Sequence, residues 1–144
     1  MTDIPYGRIF KISPDKQWTL VTQYDGWPNG LAIHRDGRIF IADYKQGILV
    51  LDPETGKVEP VVYHRHSEHF RGCNDLTFDS QGTLYFTDQG QSGMHMPNGR
   101  VYRYNPETTK LQLLIDTGES PNGLVLNKAE DVLYVAMTRG NTIW

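Results

Sequence analysis

Residues 71–90 read RGCNDLTFDSQGTLYFTDQG. Asn74-Asp75 opens an alternating run with Leu76 and Phe78, a Ser80-Gln81-Gly82 turn follows, and a second run through Leu84 and Phe86 ends at Thr87-Asp88. Apolar residues at every second position on either side of a tight turn predict two antiparallel strands. The same pattern recurs as Pro28-Asn29-Gly30-Leu31 leading through Asp36-Gly37 to Ile39–Asp43, and as Pro121-Asn122-Gly123-Leu124 leading through Glu130-Asp131 to Val132–Thr138. Asn29, Asn74 and Asn122 occupy equivalent places, 45 and 48 residues apart. A period of that size belongs to radial β repeats in which each unit is a four-stranded blade.

The repeat extends into a third strand: Gly7-Arg8-Ile9-Phe10, Gly47-Ile48-Leu49-Val50 and Gly99-Arg100-Val101-Tyr102 match, and each strand runs into a proline (Pro14, Pro53, Pro106) that cannot donate to a ladder. A fourth strand follows at Trp18–Val21, Val58–Val62 and Leu111–Leu114, and Pro60 marks it as an edge. The chain thus predicts an all-β partial β-propeller: an incomplete blade at 2–24, full blades at 28–63 and 73–116, and an incomplete blade at 120–144. Material for about three blades falls short of the four to eight that close a propeller, so the expectation is a segment of a longer fold.

Composition excludes some classes. A net charge of −3 offers no nucleic-acid footprint, no apolar run reaches a membrane span, and no basic-plus-apolar leader opens the chain. The single cysteine, Cys73, precludes an intrachain disulfide and fits a buried apolar residue; with the missing leader it predicts cytoplasmic residence. No helix-period segment stands out.

Gly72-Cys73-Asn74-Asp75 before LTFDSQGTLYFTD, Ser120-Pro121-Asn122-Gly123 before LVLNKAEDVLYVA, and Gly99-Arg100-Val101-Tyr102-Arg103 resemble the senescence marker protein / gluconolactonase / luciferin-regenerating enzyme family of six-bladed propellers. The resemblance covers nearly the whole chain. It implies a metal-dependent hydrolase acting on a small lactone or ester, with one divalent cation, usually calcium, held by an early Glu, two asparagines and a later Asp. Asn74 and Asn122 match the two asparagines, while the Glu and Asp have no counterpart in these residues. The implied catalytic carboxylate is therefore unassigned, and the segment alone is expected to be inactive. Asparagine carbonyls suit a hard cation as neutral oxygen donors, although asparagine before a strand also serves as a turn residue.

Other residues are candidates for substrate binding or for supporting the ligands. Asn29 shares the asparagine position. Asp75, by strand alternation, is expected to face away from Asn74 and to hold a neighbouring loop. Asp88, like Asp3 and Asp43, ends a second strand, where an aspartate commonly caps a loop; it alone precedes a long loop, Gln89–Asn98. His95, with Met94 and Met96, stands in that loop as pocket wall or as plain surface. Arg71 either reaches an anionic substrate or is a surface arginine. His64, His66 and His69 read as a solvated linker rather than a zinc site. A non-catalytic binding propeller is the rival function. A homodimer closing one ring by strand exchange is conceivable, but residues 141–144 and 7–12 claim the same strand slot.

Overall fold

The computed structural model describes residues 1–144. Its order is β1 (Thr2–Asp3), a 3-10 turn at Ile4–Tyr6, β2 (Arg8–Ile12), β3 (Trp18–Gln23), β4 (Pro28–Ile33), β5 (Ile39–Asp43), β6 (Gly47–Leu51) and β7 (Val58–Val62). Then come β8 (His64–Arg65), β9 (Glu68–His69), β10 (Cys73–Phe78), β11 (Leu84–Asp88), β12 (Gly99–Asn105), β13 (Lys110–Gly118), β14 (Pro121–Leu126), β15 (Leu133–Met137) and β16 (Thr142–Ile143). Sequential antiparallel pairing gives sheets β1-β2-β3, β4-β5-β6-β7, β10-β11-β12-β13 and β14-β15-β16. This is the up-and-down blade pattern of a propeller, cut to part of its circle. No helix is long and apolar enough to cross a membrane.

The cores lie between neighbouring sheets, and strand alternation explains how. On β5, Phe40 and Ala42 point toward the third sheet, where they meet Cys73, Leu76, Leu84, Phe86, Tyr102 and Tyr104. Ile41, one residue out of phase, points the other way and packs with Ile9, Leu49 and Leu51 against the first sheet. Val101 likewise turns from Tyr102 and Tyr104 toward Leu124, Val135 and Met137 of the fourth sheet. Middle strands are buried on both faces, which is why IFIAD and GILVL read as unbroken apolar runs. The outer strand β13, covered on one face only, alternates KLQLLIDTG between exposed and half-buried positions.

The strand turns are built by their side chains. Gly82 and Gly37 take positive φ (82° and 91°) at equivalent turns, where Gly82 N donates to Asp79 O and Gly37 N to His34 O. The fourth sheet has Glu130 at that place, with φ 59°. Its carboxylate accepts from Ser80 N and Ser80 Oγ (3.0 and 2.7 Å), so the left-handed backbone there is offset by a tie to the third sheet.

The linker at 64–69 departs from expectation. It folds into a small hairpin, β8-β9, with His66 at positive φ in its turn, and the Tyr63 ring lies against His64 and His69 (centroids 4.6 and 5.5 Å). Stacking on Tyr63 gives this polar segment the apolar support that its own sequence does not advertise. No group of three His, Cys, Asp or Glu comes together there or elsewhere to hold a metal.

Candidate functional site at the inner strands

Each inner strand carries the same irregularity. Pairing runs from Pro28↔Asp43 to Leu31↔Ile41, from Cys73↔Asp88 to Leu76↔Phe86, and from Pro121↔Met137 to Leu124↔Val135. Two residues therefore oppose one: Asn29-Gly30 face Ala42, Asn74-Asp75 face Thr87, and Asn122-Gly123 face Ala136. Such a bulge breaks the period-two alternation and re-aims side chains. The alternation behind the expectation that Asp75 faces away from Asn74 stops at residue 74, so that placement does not follow from strand period here.

What the bulge does with Asp75 is visible in the flanking glycines. A Cβ added to Gly30 would meet Asp75 Oδ1 at 2.5 Å and Asp75 Cα at 2.8 Å, and one added to Gly123 would lie 3.7 Å from Asp75 Oδ2. The carboxylate thus occupies the space between the bulges of both neighbouring sheets. Oδ1 accepts from Leu76 N (2.9 Å), and no lysine or arginine pairs with it. Burial pushes its pKa up, while the Leu76 and Leu124 N–H groups pull the other way.

Asn74, buried, donates from Nδ2 to Gln89 Oε1. Gln89 in turn donates from Nε2 to Ser120 Oγ (2.6 Å), two residues before Asn122. With its NH2 directed to Gln89, Asn74 keeps Oδ1 as an oxygen donor. Asn122 and Asn29 are half-buried, and their backbone carbonyls accept from Thr87 Oγ1 (2.9 Å) and Thr2 Oγ1 (3.0 Å), which ties sheet to sheet. Neutral amide oxygens beside a carboxylate without a cationic partner are a donor set that fits a hard divalent cation.

Gln89 is the residue sequence reasoning missed. Its only signal is position: the equivalent residue after Asp43 is Tyr44, which has no amide to offer. Replacing Gln89 with Leu should release the Asn74 amide and weaken cation affinity about 10- to 100-fold, the usual effect of removing a partner that orients a ligand. Terbium luminescence titration, with circular dichroism as the folding control, reads it directly.

The remaining candidates are placed as follows. Asp88 is fully buried; Oδ1 accepts from Arg71 N (2.7 Å) and Gly72 N (2.8 Å), and Oδ2 has no partner. It holds the linker that delivers Cys73-Asn74. Asp43 plays a similar part, capping Lys45 N and Gln46 N (both 2.8 Å) and accepting from Tyr24 Oη (2.8 Å). Arg71 spends its fork on Glu68 (2.8 Å) and on the Asn98 carbonyl (3.0 Å). His95 lies in the long loop with the exposed Met94 and Met96, in a depression of about 290 Å³ shared with Gln91 and Arg139. Cys73 is buried, and burial pushes its thiol up, away from nucleophile behaviour.

Burial also raises the pKa of Asp88. A folded-state carboxyl that binds its proton more tightly than the unfolded one contributes full stability below the ordinary aspartate value, and loses it as pH rises from there through its own raised value. Asp88→Asn keeps an oxygen for Arg71 N and Gly72 N and cannot ionise. Its urea midpoint should therefore fall less than that of the parent chain as pH rises across that window, measured by tryptophan fluorescence.

Sheet order, interleaved cores and bulged inner strands define a β-propeller segment. The chain belongs to the SMP-30/Gluconolactonase/LRE-like family, whose region matches residues 1–144. It is 30% identical over 152 residues to Lactonase drp35 of Staphylococcus epidermidis, covering 99% of this chain and 45% of that protein. It is similar to the Arabidopsis thaliana protein STRICTOSIDINE SYNTHASE-LIKE 13, at 30% identity over 86% of this chain and 33% of that one. In structure it resembles a gluconolactonase from Xanthomonas campestris (TM-score 0.87, 23% identity, 99% of this chain and 51% of that one). It also resembles the calcium-binding protein regucalcin from Agrobacterium tumefaciens (TM-score 0.78, 18% identity, 97% and 46%). The chain spans about half the length of the lactonase and of these two solved structures.

Proposed function

We propose that residues 1–144 supply the part of a calcium-dependent lactonase that carries its two amide ligands, Asn74 and Asn122, acting on a small lactone or ester. The observation that supports this reading is the repeated inner-strand bulge: asparagine at each one, and in the third sheet a carboxylate without a cationic partner set between the glycines of its neighbours. A bound cation would supply Lewis-acid polarisation of the lactone carbonyl. The residues of this chain hold and orient. Gln89 fixes the Asn74 amide so that Oδ1 is the presented atom, Asp75 offsets positive charge from within the bulge, and Ser120 anchors Gln89 beside Asn122. Met94, His95 and Met96 form one wall of the substrate pocket, and Asn29 is assigned to the channel lining. The carboxylate that activates water comes from outside these residues, as do the Glu and Asp ligands.

Two amides and one half-buried carboxylate are a sparse set for calcium, which takes six to eight oxygens. The isolated chain should therefore bind calcium more weakly than micromolar and hydrolyse no lactone above the buffer rate. The full-length protein should hydrolyse lactones in calcium and stop in chelator. Micromolar calcium binding by the isolated monomer in calorimetric titration would refute the division of ligands. A full-length protein inert toward lactones in calcium would favour a non-catalytic binding propeller.

A further inference from the structure

The long loop 89–98 is tied to three sheets. Gln91 Nε2 donates to Tyr44 Oη (2.7 Å) in the second sheet, Gln89 holds Asn74 and Ser120, and Ser92 Oγ accepts from Ser120 N (3.2 Å). On the far side, Arg139 Nη1 donates to Ser92 O (3.1 Å), and the arginine stem lies over Gly93, where an added Cβ would sit 2.9 Å from Arg139 Cδ. The exposed Arg139 thereby lines, with Gln91, Met94, His95 and Met96, a depression of about 290 Å³. Like Arg65 and Arg103, it forms no ion pair with any carboxylate of the chain, whereas Arg8, Arg35, Arg38, Arg71 and Arg100 all do. Its Nε and Nη2 make no hydrogen bond within the protein.

From this we infer an anion subsite at Arg139 that takes the carboxylate of a ring-bearing ligand, and so an acidic lactone as substrate. A pinned guanidinium with donors left over is suited to a planar carboxylate. Gln91 adds a polar edge, and the two methionines add apolar cover for the ring carbons. The thioethers and the His95 imidazole would also suit a soft cation, but such an ion would lie against the guanidinium charge. That opposition decides for the anion. The subsite joins the proposed metal site through Ser92, Ser120 and Gln89. The substrate assignment rests on the lactonase reading, while the anion subsite does not.

The test uses tetrahydrofuran-2-carboxylate and its neutral carboxamide, which no lactonase can hydrolyse. In amide-resolved NMR titrations of the chain, the carboxylate should shift the Gln91, Gly93, His95 and Arg139 signals, and the carboxamide should not. Arg139→Met should weaken that binding about tenfold, the scale of a charge-assisted hydrogen bond, with the rest of the spectrum unchanged. Arg139→Lys, which keeps charge without the fork, should fall between. Added salt should weaken the carboxylate response alone. Equal shifts from both probes, or a response that survives in Arg139→Met, would overturn the subsite. Hydrolysis assays of a neutral lactone by the full-length protein in calcium separate the two claims: carboxylate binding without any lactone hydrolysis by that protein leaves the subsite and removes the lactonase, and the converse removes only the subsite.

Discussion

Asn74→Ala is expected to reduce lactone hydrolysis by the full-length protein about 100-fold or more in calcium, with little change in thermal unfolding. Removing even a partner that orients a ligand typically costs 10- to 100-fold, and removing the ligand itself should cost at least that. The side chain is buried and its NH2 reaches only Gln89, so truncation removes one hydrogen bond, a loss of about 1 kcal/mol. Asn122→Ala should behave alike. Asn29→Ala supplies the contrast, because Asn29 stands in an equivalent bulge but the family resemblance assigns the ligand role to Asn74 and Asn122 alone. Its loss, at a half-buried position, should change the rate less than about threefold, about 0.65 kcal/mol of transition-state free energy. Steady-state kinetics on the three variants, with calcium held saturating, separates ligand from lining.

The largest stability effect is expected at Phe86. Its ring is fully buried, stacks on Tyr102 (5.2 Å, 24°) and meets Phe70 edge-on (5.2 Å, 65°), at the seam between the second and third sheets. Phe86→Ala should cost about 3–5 kcal/mol through lost transfer energy and the cavity left behind. That is a large share of the stability of any small domain. Tyr134→Ala, at a side chain 46% exposed on β15, should cost less than about 0.5 kcal/mol. Urea unfolding of both variants gives the comparison. A small loss at Phe86 would mean that the seam repacks and that the sheets are less interdependent than their shared core indicates.

How far the sequence could be read depended on whether the cause was local. Strand positions were legible because two-sided burial writes itself as apolar runs such as IFIAD, and because turn residues such as Asp79 and Gly82 act on their own backbone. The equivalence of Asn29, Asn74 and Asn122 was legible as register. The bulge that carries them was not, since it exists only in the pairing of two strands, and so alternation could not place Asp75. Gln89 escaped notice for a related reason: its partners, Asn74 and Ser120, lie 15 and 31 residues away. The hairpin at 64–69 has no alternation of its own and forms against Tyr63. The partners of Arg71, Glu68 and the Asn98 carbonyl, were likewise not legible, because the loop and hairpin that bring them together are set by tertiary packing.

The central claim is that amide oxygens from neighbouring inner strands share one cation. Crystals of the full-length protein grown with calcium, and mapped for anomalous scattering, test it most directly. A single strong peak bonded to Oδ1 of both Asn74 and Asn122 is expected, with Gln89 still accepting from the Asn74 amide. A calcium peak elsewhere, or Asn74 and Asn122 both turned from it, would contradict the account.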